Sequence, residues 1–155
     1  VGRYASPRPQ LPIALDAPLM EHYAALVLLI DSDSAFGYLI RRYTERSGYS
    51  FVCSDGATAL SAATSLQPAV IVIGVPAPAS WSLLRTLRAD GRTRTIPLVL
   101  CSALVDQERA WDEGAIACLV KPVMYNDFLA ALVSAGLPAP VGRSAGPPSK
   151  SMTAL

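Results

Sequence analysis

Apolar and polar positions alternate along this chain in blocks rather than residue by residue. Short apolar runs occur at Ala24 to Ile30, about Ser50 to Cys53, Ala69 to Ile73, Ile96 to Cys101 and Ile116 to Val120. The central one, Ala69-Val70-Ile71-Val72-Ile73, is β-branched, lacks polar alternation and stops at Gly74 ahead of Val75 and Pro76. Such a run reads as a strand buried on both faces. Between the runs the period lengthens to that of a helix. Phe36, Leu39, Ile40 and Tyr43 form one stripe, with Arg41, Arg42, Glu45 and Arg46 opposite and Gly48 as a stop. A second helix is expected from Asp55 to Leu66, with Ala59, Leu60, Ala63 and Leu66 inward. A third follows the loop Val75 to Ser80, buries Leu83, Leu84 and Leu87 and stops at Gly91. The fourth spans about Leu104 to Glu113, ahead of Gly114. The fifth begins at an Asn126 cap and buries Phe128, Leu129, Leu132 and Val133.

Five strand–helix alternations with short connections predict an α/β fold, a doubly wound parallel sheet with helices on both faces, over residues 24–136. Residues 1–23 carry Pro7, Pro9, Pro12 and Pro18 without a sustained period and are expected to form a flexible leader. The lone His22 lies there, apart from any cluster. Residues 137–155, rich in Pro, Gly and Ser, read as a tail or linker.

Composition narrows the reading. At 155 residues, 52% hydrophobic and 16% charged, the chain suits one core-rich domain. A net charge of +1 supplies no field for nucleic acid or anionic membrane. Cys53, Cys101 and Cys118 each fall in an apolar run and are expected to be buried thiols, without the close spacing of a zinc site. Pro12, Asp16 and Pro18 interrupt what would be a signal peptide, and no run approaches the roughly 20 residues of a membrane span. A cytoplasmic protein is expected.

Parallel strands all point one way, so the residues just past their ends converge on one edge. These are Asp31, Gly74, Ser102 and Lys121. An acid, a hydroxyl and a lysine near a helix N-terminus would suit a phosphoryl group and its metal. Glycine offers no atom to which that group could attach.

Four segments carry a family resemblance. They are Leu28-Leu29-Ile30-Asp31, Arg85 to Gly91, Ile96 to Ala103, and Gly114-Ala115 followed by Lys121-Pro122. In this order and spacing, about Ala25 to Ala135 resembles a response regulator receiver domain of two-component (phosphorelay) systems, with the chemotaxis-type, flavodoxin-like fold. The resemblance implies a five-stranded parallel sheet of order 2-1-3-4-5. It also assigns roles. The first acid of the family's pair matches Asp31, but the second falls on Ser32, with Asp33 one position on as a helix cap. The phosphoacceptor aspartate falls on Gly74, the switch hydroxyl on Ser102, the lysine on Lys121 (where the family usually has a cis Lys-Pro bond) and the switch aromatic on Cys118. The loop after the third strand is about two residues short of the family's.

An acyl phosphate needs a carboxylate nucleophile, and Mg²⁺ needs several hard oxygen ligands. With Asp31 as the one inherited metal ligand, Mg²⁺ binding is expected to be weak or absent, and no other cofactor is expected. The expectation is a degenerate phosphorylation site in a pseudo-receiver. Such a domain is no enzyme and acts in protein–protein interaction, docking a protein partner or a second copy through the face of helix 4, strand 5 and helix 5. Two alternatives stand beside it: a working receiver phosphorylated at Asp31 or Asp33, with Asp55 near the same edge, and a flavodoxin-like domain binding a small ligand. Lys121 is expected to pair with Asp31, and Ser102 to cap helix 4 or bond within its loop. Trp81 reads equally as docking anchor or half-buried residue, and Trp111 follows with the docking role slightly favoured.

Overall fold

The computed structural model describes residues 25–104 and 106–140. Five strands, β1 (Leu26–Ile30), β2 (Ser50–Ser54), β3 (Val70–Ile73), β4 (Leu98–Ser102) and β5 (Ala117–Val120), pair in parallel in the order β2-β1-β3-β4-β5. Five helices alternate with them: α1 (Ser34–Arg46), α2 (Ala59–Leu66), α3 (Ala79–Ala89), α4 (Gln107–Asp112) and α5 (Tyr125–Ser134). The predicted fold class and strand order are both present.

Period-two alternation within each strand sorts the core into two layers. Val27, Leu29, Val70, Val72, Val99, Cys101 and Leu119 face one way, against Phe36 and Ile40 of α1 and Phe128, Leu129 and Leu132 of α5. Leu28, Ile30, Ile71, Ile73, Leu98, Leu100 and Cys118 face the other, against Ala59 and Ala63 of α2, Trp81, Leu84 and Leu87 of α3 and Ala110 of α4. All four residues of β3 are buried, as befits the middle strand of a covered sheet.

Local chemistry moves several boundaries. The turn before α2 is held by Asp55, whose Oδ1 accepts from both the N–H and the hydroxyl of Thr58, so the helix starts at Ala59 rather than Asp55. Helix α4 is shorter than expected because Asp106 caps it, accepting from the Arg109 N–H at 3.1 Å. The cap of α5 is Met124 rather than Asn126, and Val133 is exposed while Ala131 is buried. Cys53 is exposed, contrary to the expectation of three core thiols, because β2 is an edge strand. Trp81 is buried beneath the Arg109 guanidinium, 4.4 Å from its ring, whereas Trp111 is 46% exposed.

Two contacts extend the folded region past residue 136. Leu137 is buried in the α1/α5 layer, and the Tyr49 hydroxyl donates to the carbonyl of Pro138 at 2.5 Å. The rest of the predicted tail, the predicted leader and His22 lie outside the described residues.

Between α3 and β5, Arg88 acts as a clamp. Its guanidinium donates to the carbonyls of Gly114 (2.6 and 3.2 Å), Ile96 (3.1 Å) and Arg94. Gly114 has φ +100, and a side chain there would run into Arg88. The Arg88 of the family-like segment therefore holds together the loops entering β4 and β5.

Candidate functional site

Strand register places the first two residues of the site. Ile30 lies opposite Ile73, and the ladder continues one step, with the Gly74 N–H donating to the Ile30 carbonyl at 3.0 Å. Asp31 and Gly74 are thus neighbours at the carboxyl edge of the sheet. Asp31 is tied to β2 as well, through its N–H and the Ser54 carbonyl at 3.0 Å. On the far side, the Lys121 N–H donates to the Ser102 carbonyl at 2.9 Å. Asp31, Gly74, Ser102 and Lys121 therefore terminate β1, β3, β4 and β5, as the sequence predicts. The Lys121-Pro122 bond is cis, in keeping with the resemblance.

The Asp31 carboxylate is buried and unevenly satisfied. Its Oδ1 accepts from the N–H groups of Ser32 (2.8 Å) and Asp33 (3.1 Å). Its Oδ2 has no hydrogen-bond partner and faces the Lys121 ammonium at 3.8 Å. The expected ion pair is therefore present, but the shorter contact of Lys121 goes elsewhere. Its Nζ donates to the Gly74 carbonyl at 2.8 Å and stands 4.3 Å from the centroid of the Phe36 ring.

Phe36 is the member of this site that sequence reasoning missed. It was legible as one residue of an inward stripe, and that is all its spacing reveals. Asp33 caps α1, with Oδ1 accepting from the N–H groups of Ala35 (2.9 Å) and Phe36 (3.3 Å), which fixes Phe36 in the first turn above the strand ends. A methyl group on the Gly74 Cα would lie 2.8 and 3.0 Å from Cε2 and Cδ2 of that ring, and 2.5 Å from Asp31 Oδ2. Carbon atoms attract best at about 3.5–4.0 Å, so nothing larger than hydrogen fits without movement. Gly74 serves space here rather than backbone freedom, since its φ is not in the left-handed region. A bulky residue in a capped first turn beside a glycine that ends the central strand is the signal that could have revealed the pair.

The remaining candidates sit at the margin. Ser32 is exposed, and Asp33 is committed to its cap. Ser102 Oγ accepts from the Leu104 N–H at 3.2 Å, a bond within the β4–α4 loop, while the cap of α4 falls to Asp106. Cys118 is fully buried in the α2/α3/α4 layer, where burial foremost, with Asp106 adding to it, pushes its thiol pKa up. Cys101, on the opposite face of the sheet, is pushed up to about 12, chiefly by burial. Neither thiol is ionised at neutral pH.

As a magnesium site the arrangement is a poor fit. Its donor set is one carboxylate oxygen, Asp31 Oδ2, with an ammonium at 3.8 Å and a serine where a second acid would help. Among the described residues, no group of three His, Cys, Asp or Glu side chains is gathered closely enough to hold a metal ion.

The fold has clear counterparts. The chain has the fold of the receiver domains of two-component response regulators. It superposes on the chemotaxis protein CheY4 of Vibrio cholerae with a TM-score of 0.66 at 21% identity, covering 72% of this chain and 98% of that one. The receiver domain of a sensor histidine kinase from Pseudomonas aeruginosa, solved with a magnesium ion coordinated in its active-site cleft, gives a TM-score of 0.65 at 21% identity, covering 73% and 98%. In sequence, the chain is 32% identical over 110 residues to the DNA-binding dual master transcriptional regulator RpaA of Synechocystis sp., a match that spans 67% of this chain and 46% of that protein. The chain spans about half the length of the curated relatives it matches. No family model matches it. No helix among the described residues is long and apolar enough to cross a membrane.

Proposed function

We propose that this chain is a receiver-like signalling module that works without phosphorylation, as a protein-interaction domain with no catalysis of its own. The observation that carries the reading is Gly74 at the acceptor position, enclosed by Phe36 and Asp31. Acyl phosphate formation needs a carboxylate oxygen to attack phosphorus, and the surroundings of Asp31 and Asp33 do not favour either in that role. Asp33 is engaged by two backbone N–H groups, and Asp31 is buried with one oxygen held by two more. Magnesium binding is weak or absent on this reading, and cytoplasmic signalling is its setting.

The surface proposed for docking is the face of α4, β5 and α5. Leu104, Trp111, Val120, Met124 and Val133, which belong to these elements or the loops beside them, are exposed, and large exposed apolar groups are a feature of interfaces. A protein partner or a second copy of the chain is the expected occupant. Nucleic acid is not expected to bind this domain, since the chain's net charge of +1 supplies no field for it.

The decisive experiment is incubation with Mg²⁺ and acetyl phosphate followed by intact-mass measurement. The expected result is unchanged mass. One phosphoryl group gained on an aspartate in stoichiometric yield defeats the proposal, and repeating the reaction on Asp31→Asn and Asp33→Asn would then locate the acceptor.

A further inference from the structure

The loss of an acceptor carboxylate requires only that residue 74 be something other than aspartate. It does not require that the space be filled. Here the space is filled: Asp31 Oδ2 and the Phe36 ring both close on it, and the ring also engages the lysine. We infer that Phe36 is a built-in plug: its ring occupies the volume next to the Gly74 Cα and holds Lys121 in place, so the site is closed as well as lacking its nucleophile. This deepens the proposed function, on which it rests for its meaning, but its physical content is separate.

Three relationships support it. The first is steric. Two ring carbons of Phe36 lie so close that a Cβ at position 74 would be 2.8 and 3.0 Å away, inside van der Waals contact. The second is electrostatic. The Lys121 ammonium sits 4.3 Å from the ring centroid, within the range of cation–π attraction, while donating to the Gly74 carbonyl. The third is anchorage. The ring belongs to the capped first turn of α1 and to the α1/α5 core layer, so leaving the site would expose a large apolar group now 8% exposed. Gly74 and Phe36 thus form a complementary small–large pair, and Phe36 positions Lys121 without touching any ligand.

A plug predicts coupling between positions 36 and 74. Thermal unfolding of the wild type, Gly74→Ala, Phe36→Leu and the double variant reads it directly. Gly74→Ala is expected to lower Tm in the presence of Phe36, and Phe36→Leu to abolish at least half of that loss. Losses that simply add overturn the plug. This readout involves no phosphoryl chemistry, so its failure is distinct from failure of the proposed function.

A second arm restores the missing acids. In Ser32→Asp/Gly74→Asp, an oxygen of the introduced carboxylate at position 74 would attack the phosphorus of acetyl phosphate in the presence of Mg²⁺. The bond from phosphorus to the acetyl oxygen breaks and acetate departs with its electron pair. Adding Phe36→Leu is expected to raise the rate of phosphoryl gain at least tenfold, read by intact mass. Equal rates with and without Phe36→Leu, zero in both included, overturn the claim that the ring is the obstacle.

Discussion

The Lys121 ammonium bonds to the backbone of Gly74 at 2.8 Å, closer than it comes to any side-chain oxygen of Asp31. A lysine that satisfies itself on a carbonyl needs no phosphate, yet it remains the cation facing a buried acid. Lys121→Met should therefore destabilise the fold by about 2 kcal/mol. That is less than the roughly 3–5 kcal/mol of breaking a fully buried pair, because the Lys121 side chain is 26% exposed. Asp31→Asn should cost about 1 kcal/mol, since its side-chain oxygen still accepts the two N–H groups and Lys121 keeps the carbonyl. Urea unfolding of both variants checks the order.

Cys118 stands where the family resemblance calls for an aromatic. It is fully buried beside its β4 partner Leu100, in the layer that α3 and α4 cover, so a phenol there cannot fit without displacing its neighbours. Cys118→Tyr should destabilise by about 1–3 kcal/mol through overpacking, whereas Cys118→Ala should change stability by less. Denaturant midpoints of the two variants make the comparison.

The three thiols should differ sharply towards a thiol reagent at pH 8. Cys53, exposed on β2, should be the one that reacts in the native protein, and more slowly than a free thiol. Partial burial and the nearby Asp31 raise its pKa, so less thiolate is present. Cys101, pushed up to about 12, and Cys118 should react only on unfolding. Counting modified residues by mass, with and without denaturant, tests this.

At the end of α3, Asp90 is held at about 2, foremost by the Arg92 guanidinium, with the Arg92 N–H adding a further bond. A carboxylate whose folded pKa is depressed contributes stability that is fully present above its unfolded value, near 3.8. That contribution fades as pH falls towards about 2. Asp90→Asn should flatten the acid limb of the stability curve over that window and leave its shape at neutral pH unchanged. Chemical unfolding measured across pH 2–5 shows whether it does.

Arg88 holds carbonyls of three residues, Gly114, Ile96 and Arg94, with one planar group. Arg88→Met should cost about 2–3 kcal/mol, because those acceptors lose a charged donor. Arg88→Lys should restore less than half, since an ammonium on a flexible stem cannot fork to the same set. Thermal or urea unfolding decides between full and partial rescue.

The fold was legible because strands buried on both faces leave unbroken apolar runs. The run ending at Ile73 is the plainest case, and the order of the sheet came with the family resemblance. The four strand-end residues were legible for the same reason: a parallel sheet brings chain positions far apart to one edge. What stayed hidden depends on lateral position. Cys53 looks like Cys101 in sequence, yet one lies on an edge strand and the other in a covered interior. Phe36 looks like any inward helical residue, because a stripe gives the direction of a side chain and not what it abuts at its tip. Helix starts moved by two or three residues at Asp106, which caps through its side chain, and at Met124, which caps without one, since boundaries of this kind are not fixed by residue type alone.

An aspartyl phosphate is an anhydride, and water eventually removes it, so a domain that carries one keeps time. The ring of Phe36 cannot be hydrolysed away. On the proposed reading, whatever shape it imposes has no lifetime to run out. Output would then follow how many copies of the protein are present and how tightly each is bound, and the cell would adjust it by synthesis and degradation.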